Sequence, residues 1–213
     1  MKPTVYIVGS ALDYAEMFTK RGWDIAAKIN GANLIQFTGG EDVSPYLYDE
    51  MPLPSTYSNP IRDRAEQVIF NLALKLEIPM AGICRGGQFL NIMCGGKMWQ
   101  HVDKHAINGT HAIHDIETNE VFQGTSTHHQ MMRPSSIGQI IAVAHISTYR
   151  ECCQNGKSLT LMSKACVSGD PEIIYYTKQN ALCFQPHPEL YGYNDLANTY
   201  FKYLAKYLNF IPK

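Results

Sequence analysis

Cys84 ends a short apolar run, Met80-Ala81-Gly82-Ile83, and is followed at once by Arg85-Gly86-Gly87-Gln88 and an apolar helical pattern. A strand that enters a tight turn and then a helix presents the turn residue on a sharp projection. Glycines at 82, 86 and 87 remove the side chains that would obstruct such a turn. The sulfur then sits at a helix N-terminus, where free N–H groups and the helix dipole favour negative charge. Most lone cysteines are small buried apolar residues, but the flanking glycines argue for a nucleophile. Far along the chain lies Phe184-Gln185-Pro186-His187-Pro188-Glu189. Residues two apart on an extended segment project to the same side, so His187 and Glu189 face one site, with Pro188 stiffening the backbone between them. A sulfur nucleophile needs a proton acceptor, and the acceptor needs an orienting carboxylate. Cys84, His187 and Glu189 supply these three roles.

The elements that must position these groups are legible as an α/β pattern. Val5 to Gly9 and Leu34 to Thr38 read as buried strands, the second ending on Gly39-Gly40 at the carboxyl end, where ligands gather in open α/β sheets. A helix is expected over Asp13 to Arg21, stopped by Gly22. Prolines at 52, 54 and 60 predict an irregular stretch from Tyr46 that walls the active site. From Ile61, the positions Ala65, Val68, Ile69, Leu72 and Leu76 keep helical spacing, with Arg62, Asp63, Glu66 and Lys75 on the opposite face. That helix feeds the strand at Met80, and strand, helix, strand in this order implies a right-handed crossover and a parallel sheet. The helix after Cys84 ends at Gly95-Gly96, and Lys97 to Trp99 resumes an extended chain. Ile140 to Ala144, Leu159 to Met162, Ile173 to Tyr176 and Ala181 to Phe184 read as later strands, with a hairpin at Lys178-Gln179-Asn180. Asp195 to Leu208 is a helix burying Leu196, Tyr200, Tyr203, Leu204 and Tyr207, and Asn209 with Pro212 marks its end.

Gly-Ile-Cys-Arg-Gly-Gly-Gln with a distal His-Pro-Glu resembles the class I glutamine amidotransferases, and within them the γ-glutamyl hydrolase branch that includes γ-glutamyl-γ-aminobutyrate hydrolase. Four further pieces fit that branch in order: Gly39 to Tyr46, the Arg62-Asp63 to Glu66 helix start, Asn91 to Gly95-Gly96, and His128-His129-Gln130. The resemblance implies a single domain over residues 1–213 with a flavodoxin-like, mixed and mostly parallel sheet flanked by helices, and a nucleophile elbow after a central strand. It implies cleavage of a γ-glutamyl amide through a γ-glutamyl thioester, with backbone N–H groups of Gly40 and Arg85 as the oxyanion hole. Gln88, Ser126, Thr127 and His128 are the substrate-binding positions it implies, and no cofactor. Thr125 and Thr127 stand where the family has asparagine and an aromatic, Pro186 replaces another aromatic, and Gln154-Asn155-Gly156-Lys157 replaces an Asp-Gly and a glutamate. Rival readings are a glutaminase subunit feeding ammonia to a synthetase partner in trans, and a binding module on an inactive fold. A homodimer is also compatible with the resemblance.

The composition agrees with a small-molecule γ-glutamyl substrate. Lys and Arg total 18 against 19 Asp and Glu, a net charge of −1, which gives no basic excess to recruit nucleic acid or an anionic membrane. No apolar run approaches the ~20 residues that span a bilayer, and no leader with a cleavage site is visible. The cysteines at 84, 94, 152, 153, 166 and 183 lack a disulfide-framework spacing and read as reduced, which together predicts a cytoplasmic location. Six of the eight histidines fall between His101 and His129. His101 and His105 have an i, i+4 spacing that would suit zinc, but no cysteine pair accompanies them and the Gly-rich approach argues against a helix there, so no metal is expected.

Overall fold

The computed structural model describes residues 2–10, 12–162, 169–190, 192 and 194–209. In chain order the strands are β1 (Thr4–Val8), β2 (Asp24–Ile25), β3 (Leu34–Phe37), β4 (Met80–Ile83), β5 (Lys97–Trp99), β6 (His101–Val102), β7 (Ala106–Asp115), β8 (Val121–Thr127), β9 (Met131–Arg133), β10 (Gln139–Ala144), β11 (Tyr149–Gln154), β12 (Lys157–Met162), β13 (Asp170–Tyr176) and β14 (Ala181–Phe184). The helices are α1 (Leu12–Thr19), α2 (Pro60–Lys75), α3 (Arg85–Met93) and α4 (Asn194–Leu208). The central sheet has the order β2-β1-β3-β4-β14-β13-β10-β7-β8. Its first five strands are parallel and carry the elbow; from β13 onward every pairing is antiparallel. This is the expected mixed sheet flanked by helices.

Burial on both faces explains why β3 and β4 read as unbroken apolar runs. Leu34 packs into the layer of α1 and α4, with Phe18, Leu196 and Tyr200. Ile35 and Phe37 pack into the layer of α2 and α3, with Phe70, Ala73, Phe89 and Leu90. Gln36 is the polar exception: its amide donates to the Phe37 carbonyl at 2.8 Å and its carbonyl accepts from the Tyr200 hydroxyl. A buried amide bonded at both ends avoids the desolvation cost of an orphaned one.

α2 is turned differently from the sequence expectation. Val68 is 65% exposed, whereas Asp63 and Glu66 are buried beside Phe70 and Ala73. Charge partners outweigh hydrophobicity here, because the guanidinium of Arg85 pairs with both carboxylates and a paired, hydrogen-bonded charge tolerates burial that an isolated one does not. The long strands β7 and β8 lie in the histidine-rich region for which the sequence assigned no element. The Asn155-Gly156 loop, with φ of 52° and 72°, closes a β11–β12 hairpin, the two-residue turn that positive φ at both positions favours. Cys166 and Pro212 lie outside the described residues; the other five cysteines are free thiols. No helix among the described residues is long and apolar enough to cross a membrane.

Candidate active site

Cys84 sits between the end of β4 and the start of α3 with φ of 50° and ψ of −114°. A non-glycine residue in this region is strained, and the surroundings hold it there. The Cys84 N–H donates to the Phe184 carbonyl at 2.8 Å, and its carbonyl accepts from the Gln88 N–H at 2.9 Å. A Cβ at Gly82 would collide with the Gly86 backbone, and one at Gly86 with the Phe37 carbonyl. The glycines therefore let β3, β4 and the first turn of α3 approach closely enough to fix the elbow.

β14 pairs with β4 in parallel, with Phe184 beside Ile83, so the residues after β14 arrive next to Cys84. His187 Nδ1 donates to Glu189 Oε1 at 2.6 Å, and the His187 N–H donates to the Thr125 hydroxyl at 2.7 Å. Burial opposes charge on this imidazole, but the negative charge and hydrogen bond of Cys84, joined by Glu189, push it up to about 11. The Gly39-Gly40 turn runs against both side chains: a Cβ at Gly39 would lie 3.7 Å from the Cys84 Cβ and 2.8 Å from His187 Cε1.

Two residues organise that turn. Tyr14, on α1, accepts from the Gly39 N–H at 2.8 Å. Burial raises its hydroxyl well above the ordinary tyrosine value, and the nearby charge of Glu189 adds to this. Tyr14 thus lies between the turn and the His-Glu pair. The Arg62 guanidinium donates to the carbonyls of Thr38 and Gly39, each at 3.0 Å, and pairs with Glu41 at 3.0 Å and Glu66 at 2.8 Å. Gly40, with φ of 141°, passes over Arg62 where a Cβ would collide with Nη1. With the Gly39 N–H held by Tyr14, the Gly40 N–H has no protein partner among the described residues. A cleft of about 570 Å³ beside the turn is lined by Gly9, Ser10, Gly39, Gly40, Glu41 and Arg62; Cys84 is not part of its wall. Tyr14 carries no sequence signal beyond an aromatic on an amphipathic helix.

The implied substrate positions are placed unevenly. Gln88 is buried, with its amide donating to Gln185 Oε1 at 3.1 Å and the Gln130 carbonyl at 3.4 Å. Ser126 is buried and its hydroxyl donates to the Lys104 carbonyl at 3.3 Å, whereas Thr127 is exposed. The ring of His128 turns into a buried cluster with His105, His111 and Glu172, whose donor types and spacing suit a metal ion. His101 stands apart from it, its ring near those of His129 and Tyr149. The irregular segment after Tyr48 is tied down by Gln100, whose carbonyl accepts from the Leu53 N–H at 3.0 Å and the Thr56 hydroxyl at 2.9 Å. Asp42 joins it to the rest, accepting from the Tyr57 N–H at 2.8 Å and from His129 Nε2 at 3.1 Å.

A cysteine at a strained strand-to-helix turn, with a histidine–glutamate pair delivered by the neighbouring parallel strand, is the architecture of the class I glutamine amidotransferase-like superfamily. The chain belongs to the Peptidase C26 family, whose model matches residues 17–189. It is 33% identical over 130 residues to the glutamine amidotransferase-like protein YvdE of Lactococcus lactis subsp. lactis, covering 52% of this chain and 55% of that protein. It is 32% identical over 101 residues to the carbamoyl phosphate synthase small chain of Wigglesworthia glossinidia brevipalpis, covering 46% of this chain and 26% of that one. The matched stretches thus span about half the length of the curated relatives, or less. Among solved structures, a glutamine amidotransferase of Thermotoga maritima superposes with a TM-score of 0.62 at 14% identity, covering 99% of this chain and 86% of that one. The structure of PurLQS from the same organism gives 0.58 at 16% identity, covering 98% and 100%. At such identities these two similarities speak to the fold.

Proposed function

We propose that the chain is a single-domain hydrolase that cleaves a γ-glutamyl amide bond through a Cys84-His187-Glu189 triad. The observation that carries this reading is the strained Cys84 at the elbow, set against the same Gly39 turn as a His187 ring that Glu189 holds at 2.6 Å. The Cys84 sulfur attacks the γ-carbonyl carbon, and the carbonyl π pair moves to oxygen. That oxyanion is met by the N–H groups of Gly40 and Arg85, where loss of one donor typically costs about 10²–10³ in rate. Collapse breaks the C–N bond, and the amine leaves with a proton from His187, giving the γ-glutamyl thioester. Water then attacks the thioester carbon, His187 takes its proton, and the glutamyl acid departs as Cys84 is restored. Glu189 keeps the imidazole in one orientation and stabilises its charged form. Gln88 and the backbone of residues 126–128 hold the glutamyl end. A cytoplasmic location suits the reduced thiol.

The similarity to a carbamoyl phosphate synthase small chain favours a second reading: a glutaminase that passes ammonia to a synthetase partner in trans. Release of glutamate and ammonia from glutamine, measured beside a panel of γ-glutamyl amines with the purified chain, separates the two. A hydrolase turns over alone. A dependent glutaminase is nearly silent until its partner is added, and a chain that cleaves none of these compounds overturns the first reading.

A further inference from the structure

The histidines between β6 and β9 do not scatter over the surface. His105 precedes β7, His111 lies on it, His128 follows β8, and all three rings are buried against Glu172 of β13. Three ring nitrogens converge on one carboxylate oxygen, Glu172 Oε1: His111 Nε2 at 3.0 Å, His105 Nδ1 at 3.3 Å and His128 Nε2 at 3.7 Å. One donor atom from each of the four residues lies within 4.8 Å of all the others. Apart from these approaches to Glu172 Oε1, His105 Nδ1 and His128 Nε2 make no well-aligned hydrogen bond, and Glu172 Oε2 and His111 Nδ1 have no partner. Buried polar atoms without partners are rare in native structures and call for a specific explanation.

Two of the three ring orientations are already fixed from outside. His105 Nε2 donates to Asp170 Oδ2 at 3.1 Å, and His128 Nδ1 donates to the Gln130 carbonyl at 2.9 Å. Those bonds place a proton on the outer nitrogen of each of these two rings and turn the inner nitrogen toward Glu172. Asp170 is itself anchored by the N–H groups of Ile146 and Ser147, at 3.0 and 2.9 Å, and by Arg150 at 2.5 Å. Outer partners of this kind, here a carboxylate behind His105 and a backbone carbonyl behind His128, are what orient metal-ligating histidines; His111 Nδ1 has no such partner.

We propose that His105 Nδ1, His111 Nε2, His128 Nε2 and the Glu172 carboxylate form a closed zinc site. Three imidazoles and a carboxylate are a donor set that zinc accepts in tetrahedral geometry at roughly 2.0–2.1 Å, whereas magnesium and calcium take mainly oxygen donors. Side-chain torsions draw the donors inward around the ion. Four protein ligands leave no open position, so the ion is structural and takes no part in the thioester chemistry. The sequence hides the site because its ligands come from β7, the two segments flanking the β7–β8 hairpin, and β13, and the i, i+4 pair His101/His105 is split by the fold. The Gln185 N–H donates to the Glu172 carbonyl at 2.9 Å, and Gln88 bonds Gln185. Zinc therefore braces the segment on which Thr125 meets His187.

The test uses the Cys84→Ala protein, so that the elbow thiol cannot be a ligand, after dialysis against a chelator. Zinc titration by calorimetry is expected to give one equivalent bound at submicromolar Kd, with a rise in Tm. Cobalt is expected to give visible d–d bands of a tetrahedral site with no sulfur-to-metal charge-transfer band. Asp170→Asn, which changes the partner behind His105 and keeps all four ligands, should weaken binding about 10–100-fold, and His111→Gln should weaken it more. X-ray absorption of the zinc-loaded protein without further substitutions should show imidazole and oxygen scatterers only, a readout that does not depend on whether the ligand variants fold. Failure to bind zinc below the micromolar range, a sulfur ligand, or undiminished binding in a folded His111→Gln variant would overturn the site.

Discussion

At the scale of single residues, the site depends on a charge relation more than on any one group. His187 is held charged by Cys84 and Glu189 against the pull of burial, up to about 11 from an ordinary value of ~6.5. A raised histidine value means that this pair stabilises the fold fully below pH ~6.5, and that the stabilisation is lost as pH rises through about 11. Cys84→Ala should abolish turnover while leaving the fold intact, and Cys84→Ser should also fail, because a hydroxyl is far less acidic than a thiol. The same alanine variant should move the His187 titration, followed by NMR of its ring protons, down from about 11. An unchanged titration would show that the ring is not coupled to the sulfur. Glu189→Gln keeps a hydrogen-bond acceptor for His187 and should retain measurable activity, whereas His187→Ala should retain much less; equal rates in the two variants would undo the division of roles.

At the scale of elements, α2 and the Gly39-Gly40 turn do most of the positioning. Arg85 begins α3 and is buried between Asp63 and Glu66 of α2, where burial pushes its guanidinium down to about 10. Arg85→Met keeps the backbone N–H but strands the buried Asp63 carboxylate and leaves Glu66 with Arg62 alone, and should destabilise the fold by about 3–5 kcal/mol in urea unfolding. A loss below ~1 kcal/mol, the range of an exposed pair, would mean the carboxylates find other partners. Tyr14→Phe removes the acceptor for the Gly39 N–H, so kcat should fall ~10-fold, the scale of one hydrogen bond, with little change in KM. The strands around Cys84 and the helix α4 were legible in the sequence because burial on both faces, or an aromatic stripe at helical spacing, leaves a plain pattern. The orientation of α2 was not, since Asp63 and Glu66 read as solvent-facing until Arg85, from another element, is brought to them. Tyr14 and the cluster of His105, His111, His128 and Glu172 were hidden for the same reason: their partners are distant in sequence, and no local spacing marks them.

At the scale of the whole molecule, the proposed γ-glutamyl chemistry turns on which compound the site would prefer. The segment from Asp49 to Asn59 is not a free flap. Gln100 grips it through Leu53 and Thr56, and Asp42 ties Tyr57 and His129 to the end of the Gly39-Gly40 turn. A wall fixed to the same turn that carries the proposed oxyanion donor can contact a leaving group larger than ammonia. Contacts made to a remote part of a substrate raise kcat/KM only when they persist or strengthen in the transition state, and a fixed wall is suited to that. Pro186 and Thr127 stand where the resembled branch has aromatics, which argues against γ-glutamyl-γ-aminobutyrate itself as the preferred compound. A γ-glutamyl amine other than free glutamine should therefore show the higher kcat/KM, by ~10-fold or more, which corresponds to about 1.4 kcal/mol of added transition-state binding. Gln100→Ala, which releases Leu53 and Thr56, should reduce that preference by lowering kcat/KM for the amine while leaving glutamine cleavage nearly unchanged. Steady-state kinetics on both substrates read the outcome directly: if glutamine alone is cleaved, and efficiently only once a synthetase is present, the wall serves a partner interface and the ammonia-donor reading takes the hydrolase's place.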